Sequence, residues 1–345
     1  MTDAVSKNFL GVSIQCAQCH NHKFEDWKQT EYWSLAQFFM RVEVQGAAMA
    51  RVKEPVVHEV KNPNRKRVPL PPDAKSVPAR YLRDTVPVSL PNDGPIRPAL
   101  AKWVTSPTNP YFARSMVNRV WSQLFGTGFV TPVDDMGPNA AVSHPKLLNA
   151  LSAHFAADNF DVKDLVRAIV LSKTYQRTGK PGAEESSEDD PQLFARMAVK
   201  VMTPEQLYDS TFAIVGTAAA DAARARAKAA NLPKAVVDPR ERFVNFFLAG
   251  QEMASTTEYE VGIPQALKLM NSRQMTNPAT VKKIVGTKSQ NAAIDELYLT
   301  ILSRRPTSSE VALVTKHLQS STKADEGYAD LFWALMNCSE FTLIR

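Results

Sequence analysis

The placement of proline sets the first limit on what this chain can fold into. Prolines recur at positions 55, 63, 69, 71, 72, 78, 87, 91, 95 and 98. Proline has no backbone N–H and its ring clashes with the preceding helical turn, so it breaks helices and is confined to edges and bulges of sheets. Residues 46–98 therefore read as a Pro-rich linker or small extended segment, with short strands such as Val56-Val57-His58-Glu59-Val60 forming at most a small edge hairpin. On both sides the apolar pattern is helical. The expected fold class is mainly α: helical bundle-like domains joined by an irregular Pro-rich segment, with boundaries at 1–45, 46–98 and 99–345.

Helix signals are clear outside that stretch. Residues 1–45 read as helix, motif, helix, with Tyr32, Leu35, Ala36 and Phe39 on one face. Between Ala113 and Phe125, the residues Met116, Val117, Val120, Trp121, Leu124 and Phe125 form a broad apolar face, and Gly126 and Gly128 supply the stop. Ser143 before His144-Pro145 reads as an N-cap, as does Asp161 before Val162, with Asp164 near the positive helix end. Thr203-Pro204-Glu205-Gln206 and Thr307-Ser308-Ser309-Glu310 are capping boxes. The first opens a helix carrying Leu207, Phe212, Ile214 and Val215, and the second one carrying Val311, Leu313, Val314 and Leu318. The piece from Ala218 to Ala230 is helix-prone with little apolar surface. Residues 179–191 are acidic and lack periodicity, so they read as an exposed linker.

Composition narrows the function classes. The 345 residues are 44% hydrophobic, enough to bury sizeable cores. Runs such as Leu331 to Met336 are far too short for a membrane span, so no transmembrane segment is expected. The formal charge is +6, and the densest basic run, Lys61, Arg65, Lys66 and Arg67, has no interleaved aromatics. It reads as a solvated loop, and no nucleic-acid partner is expected.

The motif that carries chemistry is Cys16-Ala17-Gln18-Cys19-His20. In C-x-x-C-H, two thiols on one turn add to the vinyl groups of haem and the adjacent imidazole is set beneath the iron as its proximal ligand. The leading expectation is haem c held by Cys16 and Cys19, with His20 on iron. A metal site built from Cys16, Cys19, His20 and His22, with zinc the first candidate, stays open, as do a redox dithiol and a pair of reduced structural thiols. Met40, Met49 and His58 are candidates for a sixth iron ligand. The chain has three cysteines, a poor basis for a disulfide framework, and Cys338 reads as a buried, inert thiol. Asp134 and Asp135 could be paired catalytic carboxylates, although adjacent loop aspartates more often cap helices or bind water. His144, before Pro145, fits a structural place at a helix start. There is no phosphate loop, nucleophile elbow or H-E-x-x-H helix, and no enzyme activity is assigned. The first residues, Met1-Thr2-Asp3-Ala4, carry no signal-peptide pattern. Covalent haem attachment takes place outside the cytoplasm, so either the motif bears no haem or the real beginning of the protein lies upstream.

These residues resemble a known family. Asn8-Phe9-Leu10-Gly11-Val12-Ser13-Ile14-Gln15, the motif itself, Asn21-His22-Lys23-Phe24, Asp26-Trp27 and Tyr32-Trp33-Ser34-Leu35 are similar to the cytochrome-c-like domain of large planctomycete secreted proteins. Leu100-Ala101-Lys102-Trp103, Asn109-Pro110-Tyr111-Phe112, Val117-Asn118-Arg119-Val120-Trp121 and Pro132-Val133-Asp134-Asp135 resemble its companion domain of unknown function. So do Ser143-His144-Pro145, Ile169 to Tyr175, Pro264 to Asn271 and Leu302 to Pro306. The resemblance implies haem attachment at Cys16, Cys19 and His20, an extracytoplasmic (periplasmic) location and an unknown redox partner. Members carry a long portion ahead of the motif, so an N-terminally truncated member is expected, with the missing part of the parent protein a possible partner. The alternatives are a zinc-stapled structural or interaction protein and an envelope enzyme linked to polysaccharide breakdown. The last rests on loose family analogy and on Asp134 and Asp135.

Overall fold

A computed structural model of the chain describes residues 1–45, 56–60, 77–179, 190–216, 238–248, 263–272 and 278–344. Met49, the basic run at 61–67, the Ala218–Ala230 piece and most of the acidic stretch at 179–191 lie outside the described residues. The fold is mainly α, with two small antiparallel sheets among the described residues. No described helix is long and apolar enough to cross a membrane. The chain divides into two compact units, Met1–Met197 and Ala198–Arg345.

The first unit begins with α1 (Thr2–Val5), which widens into a turn at Ser6–Leu10. Gly11 ends that turn at φ 68°, a left-handed conformation that glycine adopts without steric cost. The chain then passes through the motif into α2 (Gln29–Ala36), whose start is fixed by the Glu31 carboxylate accepting from Lys28 N at 2.8 Å. After a tight turn at Gln37–Phe39, strand β1 (Val42–Gln45) pairs antiparallel with β2 (Val56–Glu59), with Val42 opposite Glu59 and Glu43 opposite His58. The carboxylate of Glu59 accepts from Ile96 N at 2.6 Å, Arg97 N at 3.1 Å and Arg97 Nε at 2.6 Å. It thereby caps α3 (Arg97–Val104) from the end of a strand.

Two cores fill this unit. Leu10, Ile14, Trp27, Trp33, Leu35 and Phe38 pack with Ala79, Leu82, Leu100 and Val104 in the first. Beside it Phe38, Tyr81 and Trp103 form a stack of rings with centroids 5.4 and 4.8 Å apart. The second core joins α4 (Phe112–Phe125), α5 (Pro145–Ala157) and α6 (Val162–Val170) around Val117, Trp121, Phe125, Phe129, Phe155, Leu165 and Ile169. Each such buried side chain contributes about 1.5–3 kcal/mol. As the pattern predicts, Val117, Val120, Trp121 and Phe125 are buried and Gly126 ends α4 at φ 83°. Asp161 caps α6, accepting from Lys163 N at 2.8 Å and Asp164 N at 3.2 Å. The expected cap at Ser143 is corrected by the structure. With Pro145 opening α5, the cap position falls on His144, and the Ser143 hydroxyl donates to the Phe129 carbonyl at 3.3 Å instead.

The second unit opens with β3 (Lys200–Val201), paired with β4 (Leu343–Ile344) at the chain's other end. Between them lie α7 (Pro204–Val215), α8 (Pro239–Leu248), α9 (Ile263–Met270), α10 (Pro278–Val285), α11 (Gln290–Leu302), α12 (Ser308–Ser320), α13 (Ala324–Asn337) and α14 (Ser339–Thr342). Both capping boxes form: Thr203 with Gln206 and Thr307 with Glu310. Arg304 ties three elements together. Its guanidinium meets Glu310 at 2.8 and 2.9 Å and Glu340 at 2.7 and 2.8 Å, and lies over the Tyr298 ring. Leu313 stands 71% exposed, so on α12 Val314 rather than Leu313 faces the core. Cys338 is half-buried, not fully buried, and its thiol donates to the Leu335 carbonyl at 3.1 Å.

Candidate functional site

The motif begins on a single tight turn, Gln15–Gln18, with Cys19 at its end and His20 just beyond, closed by Ala17 N donating to Ile14 O at 2.9 Å and Cys19 N to Cys16 O at 3.4 Å. Ala17 and Ile14 are buried in the first core, whereas Cys16 and Cys19 are free, exposed thiols. Burial of the middle residue turns the two flanking sulfurs outward. The turn is held from α2: Gln18 O accepts from Trp33 Nε1 at 3.1 Å and from Gln29 Nε2 at 3.2 Å.

His20 is exposed, and its Nδ1 lies 2.7 Å from the Asn21 carbonyl oxygen. A carbonyl only accepts, so Nδ1 carries the hydrogen, and in the neutral ring Nε2 keeps a lone pair for a metal. Asn21 is itself fixed, because its Oδ1 accepts from Gln29 N at 2.9 Å. His22 is used differently. Its Nδ1 accepts from Phe24 N at 3.3 Å and Glu25 N at 2.9 Å, and its own N–H donates to Trp27 O at 2.8 Å, closing the loop from 22 to 27. Among the described residues no three His, Cys, Asp or Glu side chains gather as a metal-holding group. The donor set of Cys16, Cys19 and His20 fits haem attachment: two accessible thiols one turn apart and an imidazole with its distal nitrogen available.

The surroundings are unequally polar. Burial, with the nearby Asp3 carboxylate adding to it, pushes the Tyr32 hydroxyl up to about 12, so it stays protonated near Cys19. Phe24 projects into solvent at 86% exposure. An apolar cavity of about 380 Å3 lies elsewhere on the first core, lined by Val5, Phe9, Phe39, Leu100, Val104 and Phe112 among others and by no motif residue. Sequence reasoning missed Arg83 altogether. At φ 62° it donates from Nη1 to Asp26 Oδ2 at 3.1 Å and from Nη2 to Asp26 O at 2.5 Å, and its guanidinium lies 4.5 Å from the Trp27 ring centre. Its only sequence signal is a basic residue between prolines.

The remaining candidates disperse. Met40 is half-buried after α2. His58 sits on β2 with Nε2 3.8 Å from the Glu43 carboxylate across the strand pair. Asp134 and Asp135 are half-buried in a turn where Asp135 N donates to Pro132 O at 3.1 Å. His144 packs against Phe129 and Phe194 at ring distances of 6.3 and 5.4 Å.

The family model described as protein of unknown function DUF1553 matches residues 96–318, well over half of the chain. A second, described as protein of unknown function DUF1549, matches residues 1–44. Both are planctomycete-type domains, and neither description assigns a cofactor. No curated protein matches this chain, and no solved structure does.

Proposed function

We propose a function from the premise that this chain belongs to the DUF1553 family of proteins of unknown function: it is a c-type haem-binding electron-transfer protein. In this reading Cys16 and Cys19 tether the porphyrin and His20 ligates its iron. The observation that carries it is the His20 ring, whose Nδ1–H is held by the Asn21 carbonyl at 2.7 Å and whose Nε2 is thereby left as a ligand. Cys16 and Cys19 would each hold the group through a thioether, an addition of S–H to a vinyl group that consumes no oxidant and releases nothing. Bound there, haem would supply a one-electron iron couple. The chain's own part is positional. Buried Ala17 keeps both sulfurs outward, and Gln18 O, gripped by Trp33 and Gln29, keeps the turn from unwinding.

Thioether formation of this kind places the protein outside the cytoplasm. The exposed motif, with Phe24 beside it in sequence, offers a redox partner a short approach to the group. The test is expression of the full chain in a periplasm that carries haem-maturation machinery. Expected is a Soret band, and a haem stain that survives denaturing electrophoresis and disappears in the Cys16→Ala, Cys19→Ala double variant. Purified protein with no haem stain, or with stoichiometric zinc and no iron by elemental analysis, overturns the proposal.

A further inference from the structure

We infer that Arg83 is the positioning residue for His20: it braces the segment that fixes the Asn21 carbonyl, and so sets which imidazole nitrogen faces a metal. The inference rests on the reading of His20 as a ligand. Its first support is backbone strain. Arg83 sits at φ 62°, a conformation that costs an L-residue on the order of 1–2 kcal/mol and that persists only when its surroundings over-determine it. What holds it is one guanidinium that reaches Asp26, Trp27 and Glu31 together. Nη1 and Nη2 take the side-chain and backbone oxygens of Asp26, Nε pairs with Glu31 at 3.5 Å, and the plane covers Trp27.

Those contacted residues are the ones that hold the histidine's support. Trp27 O accepts from His22 N at 2.8 Å and closes the loop behind the motif. Glu31 caps α2 at Lys28 N, which places Gln29 N to donate to Asn21 Oδ1 at 2.9 Å. Asn21 O then receives the His20 Nδ1 hydrogen. Without the fork of Arg83, Trp27 stays buried and Glu31 keeps its cap, but the loop from Asn21 to Asp26 loses the grip that pins its far end, and the Asn21 peptide gains freedom to turn. A lysine carries the charge but lacks the rigid planar fork that spans two oxygens and covers the Trp27 ring.

The experiment uses the full chain, reduced and free of haem, with 15N-labelled histidine. Long-range 1H–15N correlation reads the tautomer of each ring, and His20→Ala assigns the signal. Expected is the Nδ1–H form of His20 in the wild type, a mixture in Arg83→Gly, and partial return in Arg83→Lys. Glycine suits the backbone at φ 62°, so Arg83→Gly removes the side chain without a backbone penalty and stays folded. An unchanged His20 tautomer in both variants overturns the inference, whatever happens to haem. In the maturation system, haem incorporation is expected to fall about tenfold in Arg83→Gly, the size seen when the partner of a metal-bound imidazole is lost. Where the wild type does take up haem, equal loading of Arg83→Gly and wild type also overturns it. A tautomer change in Arg83→Gly, where the wild-type chain never takes up haem, supports the positioning role and sinks the haem reading alone.

Discussion

Replacing Gly11 by alanine tests how the motif segment is seated. A Cβ there would lie 2.8 Å from Ser115 Oγ, 2.9 Å from Ser115 Cβ and 3.3 Å from Met136 Sδ. Ser115 is fully buried in the first turn of α4, so it cannot swing away. Two costs follow. The left-handed backbone at φ 68° costs an alanine about 1–2 kcal/mol, and overpacking a closed contact adds roughly 1–3 kcal/mol. Gly11→Ala should therefore lose about 2–5 kcal/mol, a large part of an ordinary domain's stability. Ser115→Gly deletes both clashing atoms and costs about 1 kcal/mol as a glycine inside a helix. In the double variant the steric part vanishes and the backbone part remains, so the two changes should couple favourably by about 1–3 kcal/mol. Urea unfolding followed by tryptophan fluorescence reads this unit, because Trp27, Trp33, Trp103 and Trp121 lie in it and only Trp333 lies outside. Additive losses would show that the contact with Ser115 is not what makes glycine necessary.

Three further outcomes are expected. The Arg304 guanidinium, hydrogen-bonded to Glu310, holds that carboxyl at about 2 against its ordinary 4.5, outweighing partial burial. A lowered folded value means stability that is fully present above 4.5 and lost as pH falls toward about 2. Circular dichroism across that window should show a steeper loss in wild type than in Glu310→Gln, and equal slopes would refute the pairing. His22→Ala removes the acceptor of Phe24 N and Glu25 N and should cost about 1 kcal/mol, the scale of a lost cap. It should leave the iron-to-protein ratio unchanged; loss of bound metal would argue for His22 as a ligand. Asp161→Ala strips the cap of α6 and should cost about 1 kcal/mol, a fall in Tm of about 2–4 °C by differential scanning calorimetry.

What could be read from sequence was what acts within a few residues. The caps at Asp161, Thr203 and Thr307, the stop at Gly126 and the buried face of α4 are local, because side chain and backbone partner lie within one turn of each other. The same holds for the thiols and imidazole of the motif. Where two local signals competed, the wrong one was legible. Ser143 looks like a cap until Pro145 fixes where α5 begins, and Leu313 fits an apolar face that only α12's packing against its neighbours can orient. Arg83 left no readable trace, since its partners Asp26 and Trp27 lie more than fifty positions earlier and its own neighbours show no periodicity. The strain at φ 62° that marks it is visible only in the backbone.

The two matched family segments end at residue 44 and begin at residue 96, yet packing does not respect that gap. Gly11 O accepts from Met136 N at 2.8 Å, Lys7 O from Arg119 Nη2 at 2.7 Å, and the Glu25 carboxylate from Asn139 N at 3.3 Å. The core under the motif is completed by Leu82 from the Pro-rich stretch and by Leu100 and Val104 from α3. Residues between the segments are no passive spacer either, since Glu59 starts α3 and Arg83 braces the loop behind His20. Cys16, Cys19 and His20 are thus presented by a turn that α2 grips from within the first segment, seated on a core completed from outside it. The seating of the motif segment therefore belongs to the unit from Met1 to Met197 as a whole, and a change in α4 at Ser115 is felt at Gly11, five residues before the motif begins.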